Sequence, residues 1–498
     1  LMYKNANKNN KKYMLSNSSW ENQEDYGMSV VDDENIVNVI LNDSNSNKEQ
    51  CAQGGVTVIV KLKEGTRVTG KDKSGAWNLE DAYTTVEKIN YIEDLVELSN
   101  AVQNGEQFAK TKFVLQRNLD FNNNESYRNP DTTIYGDING NGIVEEIKTE
   151  LTTAEGFLPI GYGFSSKFSG VFSGNNHEIS NLMINRQSDG SFVGFFGNVE
   201  NSVIENLTLS GNVYGDFASG FIACALGNTE SSYIYIYNCF NNVNINGKEY
   251  LGGFIGKSSL YELKMENCIN NGKITGITSN TNLGGGLIGL TFSNRIDIRN
   301  CENNGEINGS AYIGGLFGWL DCCNESKIDG SLQIYNCKNN GTIIAKGEII
   351  ADIGGISGAI ISGMMDIKAC ENKGNIVVDG DKTGYIAGIV GLMENRVSMS
   401  ADTISNSGRI TINGESYASL IGGIFGQVFG NGEASLSKCK NLGDIIANCP
   451  RVSYMGGVIG SLQCRNYIVE TSNAGKVSFF CENDGTINEI IGYKESIE

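Results

Sequence analysis

The chain has 498 residues, of which 63 are Gly and only 3 are Pro, and its formal net charge is −19. Nucleic acids and anionic membrane surfaces are bound by basic surfaces, so this charge disfavours both as partners and is typical of a soluble protein. The low Pro content disfavours a collagen-like chain or a disordered linker, and no apolar run has the character of a membrane-spanning helix.

The N-terminal part divides into two segments by composition. Residues 1–50 are rich in Asn, Ser, Lys and acidic side chains, and they are predicted to be disordered or linker-like. Residues 51–90 are predicted to form a small β segment, because apolar and polar residues alternate over 56–70 as in a β hairpin.

A short amphipathic helix is predicted at residues 91–104. Its apolar side chains share one helical face, and Gly105 suits the position just after a helix. The open end of a stack of strands must be covered against edge pairing, so this helix is predicted to cap the β structure that follows. Residues 91–185 are assigned to this cap and to the first coils, with one insertion.

The insertion contains a candidate calcium loop. Its candidate ligands have the spacing of positions 1, 3, 5 and 9 of such a loop: Asp137, Asn139, Asn141 and Glu145. Lys148 stands at the twelfth position, where a bidentate Glu is expected, and Glu146 or Glu150 would have to replace it. A turn rich in Asn and Asp, without bound calcium, is the alternative; no other cofactor is predicted.

Two sequence blocks recur through residues 186–498. The first reads Cys-x-Asn-x-Gly-x-Ile and starts at Cys268, Cys301, Cys337, Cys370 and Cys439, with degenerate copies at Cys239, Ile404 and Thr471. The second reads Gly-Gly-x-x-Gly, as in Gly314 to Gly318, and precedes the first block in each copy. The period is roughly 33 residues, which is typical of a solenoid.

Each period contains three short apolar runs and no helical pattern. Runs of this length with alternating side chains predict strands, and three strands per repeat predict one coil of a three-sided solenoid. The predicted fold is therefore a right-handed parallel β-helix of about nine coils.

The recurring residues have predicted structural roles. The Asn of the Cys block is predicted to stack at a corner in left-handed geometry, where each side-chain amide pairs with the equivalent Asn of the coils above and below. These residues are Asn270, Asn303, Asn339 and Asn372. The Gly of the same block is predicted to supply a second sharp turn. The Cys residues are predicted to form an inward ladder of free thiols, because in-register neighbours suit neither disulfide nor zinc geometry.

Several segments resemble a known group of proteins. Three segments resemble bacterial surface proteins with GLUG-motif repeats: the run from Gly156 to Gly161, the run from Phe168 to Ile184, and the motif Val193-Gly194-Phe195-Phe196-Gly197. They are also similar to the non-catalytic repeat region of IgA-specific metalloendopeptidases. The resemblance covers roughly residues 91–490 and implies a secreted or surface-anchored bacterial adhesive module. Here many Gly-Leu positions read Gly-Phe or Gly-Ile, and Cys is unusually frequent.

Three classes of function remain open at this point. The first is a non-catalytic stalk or adhesin that binds a glycan or an extracellular protein. The second is a β-helix lyase or hydrolase, although no pair of catalytic acids is evident. The third is the repeat region of a larger protease: the single His177 is followed by Glu178, but Asn181 stands where a zinc protease needs its second His. The sequence therefore predicts no enzyme activity for this segment.

Overall fold

The computed structural model describes residues 83–128, 155–186 except 164, 192–479 with gaps at 228, 230, 278–282, 323–329 and 415–416, and residues 486–496, together with the backbones of six further strands. Two compact units are present: Leu1–Val86 with Lys110–Lys112, and Glu87–Ala109 with Phe113–Glu498.

The first unit contains the predicted small β segment. Strand β1 (Ile36–Asn42) pairs antiparallel with β2 (Thr57–Leu62), and β3 (Thr66–Lys71) pairs antiparallel with β4 (Trp77–Asp81). The hairpin predicted within residues 56–70 is therefore wrong, since β2 and β3 take different partners. Alternation of apolar residues predicts a strand but does not select its partner. Strand β1 lies within the predicted linker-like segment 1–50, whose other residues are outside the described part.

The second unit begins with the predicted capping helix, α1 (Ile92–Gln103). The Asp94 carboxylate accepts hydrogen bonds from the backbone N–H groups of Asn90 and Tyr91, at 2.7 and 3.0 Å, which satisfies donors at the helix start. Gly105, at φ +101°, follows its end. The apolar face of α1 joins the core of the first coils, and Ser99 Oγ donates to the Leu158 carbonyl at 2.8 Å. No helix in the described part is long and apolar enough to cross a membrane.

Five further strands lie between residues 85 and 147, with one 3₁₀ turn at Asn124–Ser126: β5 (Thr85–Ile89), β6 (Thr111–Leu115), β7 (Leu119–Asp120), β8 (Ile134–Gly136) and β9 (Glu145–Ile147).

The strands of the first coils are β10 (Val171–Arg186), β11 (Phe192–Val193), β12 (Phe196–Val199), β13 (Ser202–Ser219), β14 (Ile222–Leu226), β15 (Tyr233–Tyr237), β16 (Phe240–Gly252), β17 (Ile255–Ser259), β18 (Glu262–Glu266), β19 (Ile269–Asn270), β20 (Ile274–Gly276), β21 (Leu283–Gly285), β22 (Ile288–Thr291), β23 (Arg295–Arg299), β24 (Glu302–Asn303) and β25 (Ile307–Gly309). The strands of the later coils are β26 (Tyr312–Gly314), β27 (Phe317–Asp321), β28 (Ser331–Tyr335), β29 (Lys338–Asn339), β30 (Ile343–Gly354), β31 (Ser357–Lys368), β32 (Glu371–Asn372), β33 (Ile376–Ala387), β34 (Val390–Asp402), β35 (Ser405–Asn406), β36 (Ile410–Asn413), β37 (Tyr417–Gly422), β38 (Phe425–Asn441), β39 (Ile445–Asn448), β40 (Val452–Gly456), β41 (Ile459–Asn473), β42 (Val477–Phe479), β43 (Thr486–Asn488) and β44 (Ile491–Ser496).

These strands stack as a parallel β-solenoid of about nine turns, which confirms the predicted fold. Each strand pairs in register with the equivalent strand one turn later; for example, β23 pairs with β28, and β28 with β31. The three predicted runs are strands in every complete coil, and the ladder Asn lies in a further two-residue strand such as β29. Side chains alternate between a continuous buried core and the surface, so each coil buries the inner face of its neighbours.

The sharp corner of each coil lies one residue before the Cys position. Asn300 and Asn336 have φ of 53°, and Ala369, Thr403 and Lys438 take the same left-handed geometry in later coils. The prediction that the ladder Asn itself is left-handed is therefore wrong. That Asn lies in a short strand, because its amide must point inward to pair with the coils above and below, whereas the residue before the Cys turns outward.

The Gly of the Cys block was predicted to supply a second turn, and Gly305 does lie at a bend between β24 and β25. Gly305 is not among the glycines with positive φ. A Cβ added to Gly305 would lie 2.0 Å from the Gly272 carbonyl oxygen and 3.0 Å from Asn270 Nδ2. This position requires Gly because successive coils approach too closely for any side chain.

Candidate functional site

The predicted Asn residues meet inside the solenoid as one hydrogen-bonded ladder. Asn270 Nδ2 donates to Asn303 Oδ1 at 2.7 Å, Asn303 Nδ2 to Asn339 Oδ1 at 2.8 Å, and Asn339 Nδ2 to Asn372 Oδ1 at 2.8 Å. The ladder extends to Asn241 at one end and to Asn406, Asn441 and Asn473 at the other. Each amide also bonds a backbone carbonyl, as Asn339 does to Gly341 at 2.9 Å. The ladder side chains from Asn241 to Asn441 are fully buried, so they serve the fold and are not accessible to a ligand.

The predicted Cys residues form a parallel inward ladder of buried free thiols: Cys268, Cys301, Cys337 and Cys370. Cys337 Sγ lies 3.3 Å from the Tyr335 carbonyl oxygen and 3.7 Å from the Ile298 carbonyl oxygen of the previous coil, so its one S–H proton has two acceptors within reach. Burial raises the pKa of Cys301 and of Cys337 well above the usual thiol value. The thiols of Cys301 and Cys337 are therefore held protonated, which makes them weak nucleophiles and weak metal ligands.

The candidate calcium loop falls almost entirely outside the described residues. Asp137, Asn139 and Asn141 are not described, and Glu145 is described only as the first backbone position of β9, which pairs antiparallel with β8. Among the described residues, no group of three or more His, Cys, Asp or Glu side chains is arranged to hold a metal ion.

The single histidine lies in strand β10 at the first coils. His177 Nδ1 lies 3.2 Å from Asn118 Oδ1, and the neighbouring Glu178 carboxylate accepts from Ser210 Oγ at 2.6 Å. His177 and Glu178 are neighbours in an extended strand and bond different partners.

A set of surface aromatic side chains lies along the Gly-Gly-x-x-Gly blocks and was not identified from the sequence. In each coil, one residue stands two positions before the block and another directly after it, and these positions form two rows along the solenoid. In the coil of Gly314 these residues are Tyr312 and Trp319, whose ring centroids are 4.6 Å apart. The intervening Ile313 and Phe317 are fully buried, so the chain turns inward between two side chains that remain on the surface.

Related contacts occur in other coils. The Lys257 ammonium lies 5.0 Å from the Tyr250 ring centroid within one coil, and the Tyr454 ring contacts Tyr493 of the next coil, with the centroids 4.8 Å apart. We call the aromatic members of these rows the aromatic stripe, which comprises six half-buried side chains: Tyr250, Tyr312, Trp319, Tyr385, Tyr454 and Tyr493.

Strand register places the two rows parallel to the solenoid axis. In the first row, Leu283 pairs with Tyr312, Asp352 with Tyr385, Tyr385 with Leu420, and Leu420 with Tyr454. The second row is continuous through the positions Lys257, Leu290, Trp319, Ala359, Leu392, Gln427, Ser461 and Tyr493.

The stripe has little net charge. Between Tyr250 and Tyr493, the two rows contain one acid, Asp352, and one base, Lys257. Asp352 is only 4% exposed, and burial raises its pKa to about 7. The pKa of Tyr312 is also raised, mainly by burial and further by the nearby Asp352 and Tyr385, so its hydroxyl group stays protonated. The stripe therefore offers aromatic faces and neutral hydroxyl groups.

A second outer face also carries aromatic and charged residues, but these satisfy one another. Arg299 donates to Asp297 at 2.6 Å and to Gln333 at 2.9 Å, and the Tyr335 hydroxyl donates to Asp366 at 2.5 Å. The Arg299–Gln333 and Tyr335–Asp366 pairs cross between strands, and such pairs stabilise a solvated sheet and leave few groups for a ligand.

An open surface cavity of about 420 Å³ lies elsewhere on the later coils. It is lined by Glu348, Asp379, Asp381, Asn413 and Asn448 together with glycines. The cavity has no aromatic or basic side chain, so we assign it no ligand.

The stripe had a signal in the sequence. Tyr occurs two residues before the Gly-Gly block, or before its Ala-Gly variant, at Tyr250, Tyr312, Tyr385 and Tyr454. This position was overlooked because the block itself was interpreted as core.

Comparisons with known proteins add little about function. No protein-family model matches the sequence, and no solved structure matches it. Among curated proteins the chain is similar to halomucin from Haloquadratum walsbyi, at 28% identity over 107 residues. That match covers 20% of this chain and 1% of halomucin, so the chain spans only a small fraction of this relative's length. We draw no family assignment from it.

Proposed function

We propose that this chain is a non-catalytic adhesive module of a secreted or surface-attached bacterial protein, and that it binds a glycan along the aromatic stripe. The observation that carries the proposal is the contact of Tyr312 with Trp319, in a row whose other tyrosines are Tyr250, Tyr385 and Tyr454. Sugar rings present C–H faces that pack on aromatic rings, while their hydroxyl groups bond to Tyr hydroxyl and amide side chains.

Binding fits the stripe better than catalysis does. Glycoside hydrolysis in most families uses two carboxyl groups on either side of one glycosidic bond. The two rows contain the single carboxyl group of Asp352, whose oxygens are almost completely buried. A straight row of rings without paired acids suits a module that holds a polysaccharide.

The bacterial and extracellular assignment rests on the resemblance to GLUG-motif surface proteins. It accords with the cysteine chemistry, because buried and protonated thiols are poorly reactive in an oxidising environment. A repeat region attached to a larger protease is compatible with the same binding role.

The test is retention of the protein on insoluble polysaccharides and on a glycan array. We expect the wild type to be retained and the double variant Tyr312→Ala/Trp319→Ala to lose most of its retention. Tyr235→Ala is the matched control, since Tyr235 is a half-buried outward tyrosine of the other sheet face. Equal retention of the wild type and both variants would reject the stripe as the binding surface.

A further inference from the structure

The tyrosines of the first row occupy alternate coils. Tyr312, Tyr385 and Tyr454 are separated by Asp352 and Leu420, each of which pairs in register with the tyrosine beside it. Leu283 holds the intermediate position between Tyr250 and Tyr312. Successive coils are about 4.8 Å apart, so the tyrosines repeat at roughly 9.6 Å along the axis.

Two of the intermediate residues, Asp352 and Leu420, are more deeply buried than the tyrosines. Asp352 is 4% exposed and Leu420 is 7% exposed, whereas the tyrosines on either side are half-buried. Between Tyr312 and Tyr454 the surface of the row therefore alternates between a half-buried ring and a buried, non-aromatic position, whereas Leu283 is a half-buried aliphatic side chain.

This alternation corresponds to one class of polysaccharide. In an extended β-1,4-linked chain, each sugar is turned over relative to the last, so the same ring face recurs at every second sugar. Two such sugars span a distance close to the two-coil interval. An α-1,4-linked chain coils instead, and it cannot keep equivalent faces against a straight row.

The charge of the protein narrows the ligand further. The chain carries a net charge of −19, and the stripe has no cluster of bases, so a polyanionic glycan would be repelled. The remaining ligands are neutral, extended chains of the glucan or chitin type.

We infer that the aromatic stripe binds a neutral β-1,4-linked polysaccharide aligned with the solenoid axis, with one disaccharide for every two coils. This inference rests on the proposed glycan binding and adds the linkage, the direction and the period of the ligand.

The experiment measures the affinity of the whole chain for soluble cello- and chito-oligosaccharides of increasing length, by calorimetry and by quenching of tryptophan fluorescence. We expect affinity to rise in steps at every second sugar, by about fivefold for each added ring contact. Malto-oligosaccharides of the same lengths, which differ in linkage, should bind weakly and without steps.

Two variants of the first row test the period directly. Tyr385→Leu removes a ring and should lower the affinity for the longest β-1,4 ligand about fivefold. Leu283→Ala alters an intermediate position of the same row and should leave the affinity within about twofold of the wild type, since no sugar face packs there. Circular dichroism of both variants should match the wild type.

The outcomes separate this inference from the proposed function. Stepwise affinity for β-1,4 ligands alone supports it. The period and linkage are overturned if affinity grows smoothly with each sugar, if malto-oligosaccharides bind equally well, or if the two variants lose affinity equally. Each of these outcomes leaves glycan binding intact. Absence of binding to every glycan by the folded wild type overturns both.

Discussion

Gly315, in the Gly-Gly-x-x-Gly block, lies against Asn339, in the Cys-x-Asn-x-Gly-x-Ile block. A Cβ added to Gly315 would lie 2.3 Å from Asn339 Cγ and 2.0 Å from the Gly355 carbonyl oxygen. The same contact recurs between Gly286 and Asn303. The Gly-Gly-x-x-Gly block therefore provides the space that the amide ladder occupies, which explains why the two blocks recur together.

Gly315→Ala should lower the free energy of unfolding by about 3 kcal/mol, the upper range for a methyl group forced into a packed core. Denaturant unfolding measures this loss. Gly284→Ala is the control, because the nearest atom to its added Cβ is the terminal methyl of Ile313, at 3.2 Å. Equal losses in the two variants would show that the contact with Asn339 does not limit this position.

Asn339→Ala should cost about 1–3 kcal/mol of stability, because it leaves the buried amides of Asn303 and Asn372 each short of a partner. Asn339→Asp should cost at least as much, since it removes the donor to Asn372 and buries a carboxyl group. The neighbouring Asn340 is exposed and forms its own side-chain bond to Asn304 at 2.9 Å, so Asn340→Ala is a matched control. If Asn339→Ala proved as neutral as Asn340→Ala, the inner ladder would not stabilise the fold.

The ladder thiols should resist alkylation in the native protein and react on unfolding. Burial is the main cause of the raised pKa of Cys301 and of Cys337. The pKa of Cys370 is raised first by its hydrogen bond with the Cys337 thiol and then by burial. Mass spectrometry after labelling with and without denaturant measures the difference. Recovery of a disulfide between Cys301 and Cys337 would contradict the free-thiol ladder.

Asp352 should make stability fall as pH rises. Burial raises its pKa from 3.8 to about 7, so the folded state favours the protonated acid. The contribution of Asp352 to the free energy of unfolding is fully present below the pKa of the unfolded state. It is lost as pH rises through the pKa of the folded state, and the loss amounts to up to about 4 kcal/mol. We expect Asp352→Asn to remove this slope and to be more stable than the wild type above pH 7. Asp379→Asn, at an exposed position, is the control; an unchanged slope in Asp352→Asn would assign the pH dependence to other groups.

Much of the architecture could be predicted from the sequence alone. The repeat of Cys, Asn and Gly at a fixed interval predicts stacked coils, because residues one period apart must become neighbours in a solenoid. Alternation around Cys337 predicts which side chains face the core. The inward Asn and Cys ladders follow from the same periodicity, and so does the need for a cap such as α1.

Other features were decided only by the tertiary structure. The sequence could not assign the left-handed corner to Asn336 rather than Asn339, because both are Asn and each tolerates that geometry. Gly305 lies at a bend, as predicted, but the close approach that requires Gly there is to a carbonyl oxygen of the preceding coil, a contact between residues far apart in the chain. The aromatic stripe likewise depends on the inward turn that brings Tyr312 against Trp319, and on the stacking that aligns Tyr385 with Tyr454. Local sequence patterns determine where strands form and which side chains face the core. The packing of the coils determines which surface side chains come together, and hence the binding surface.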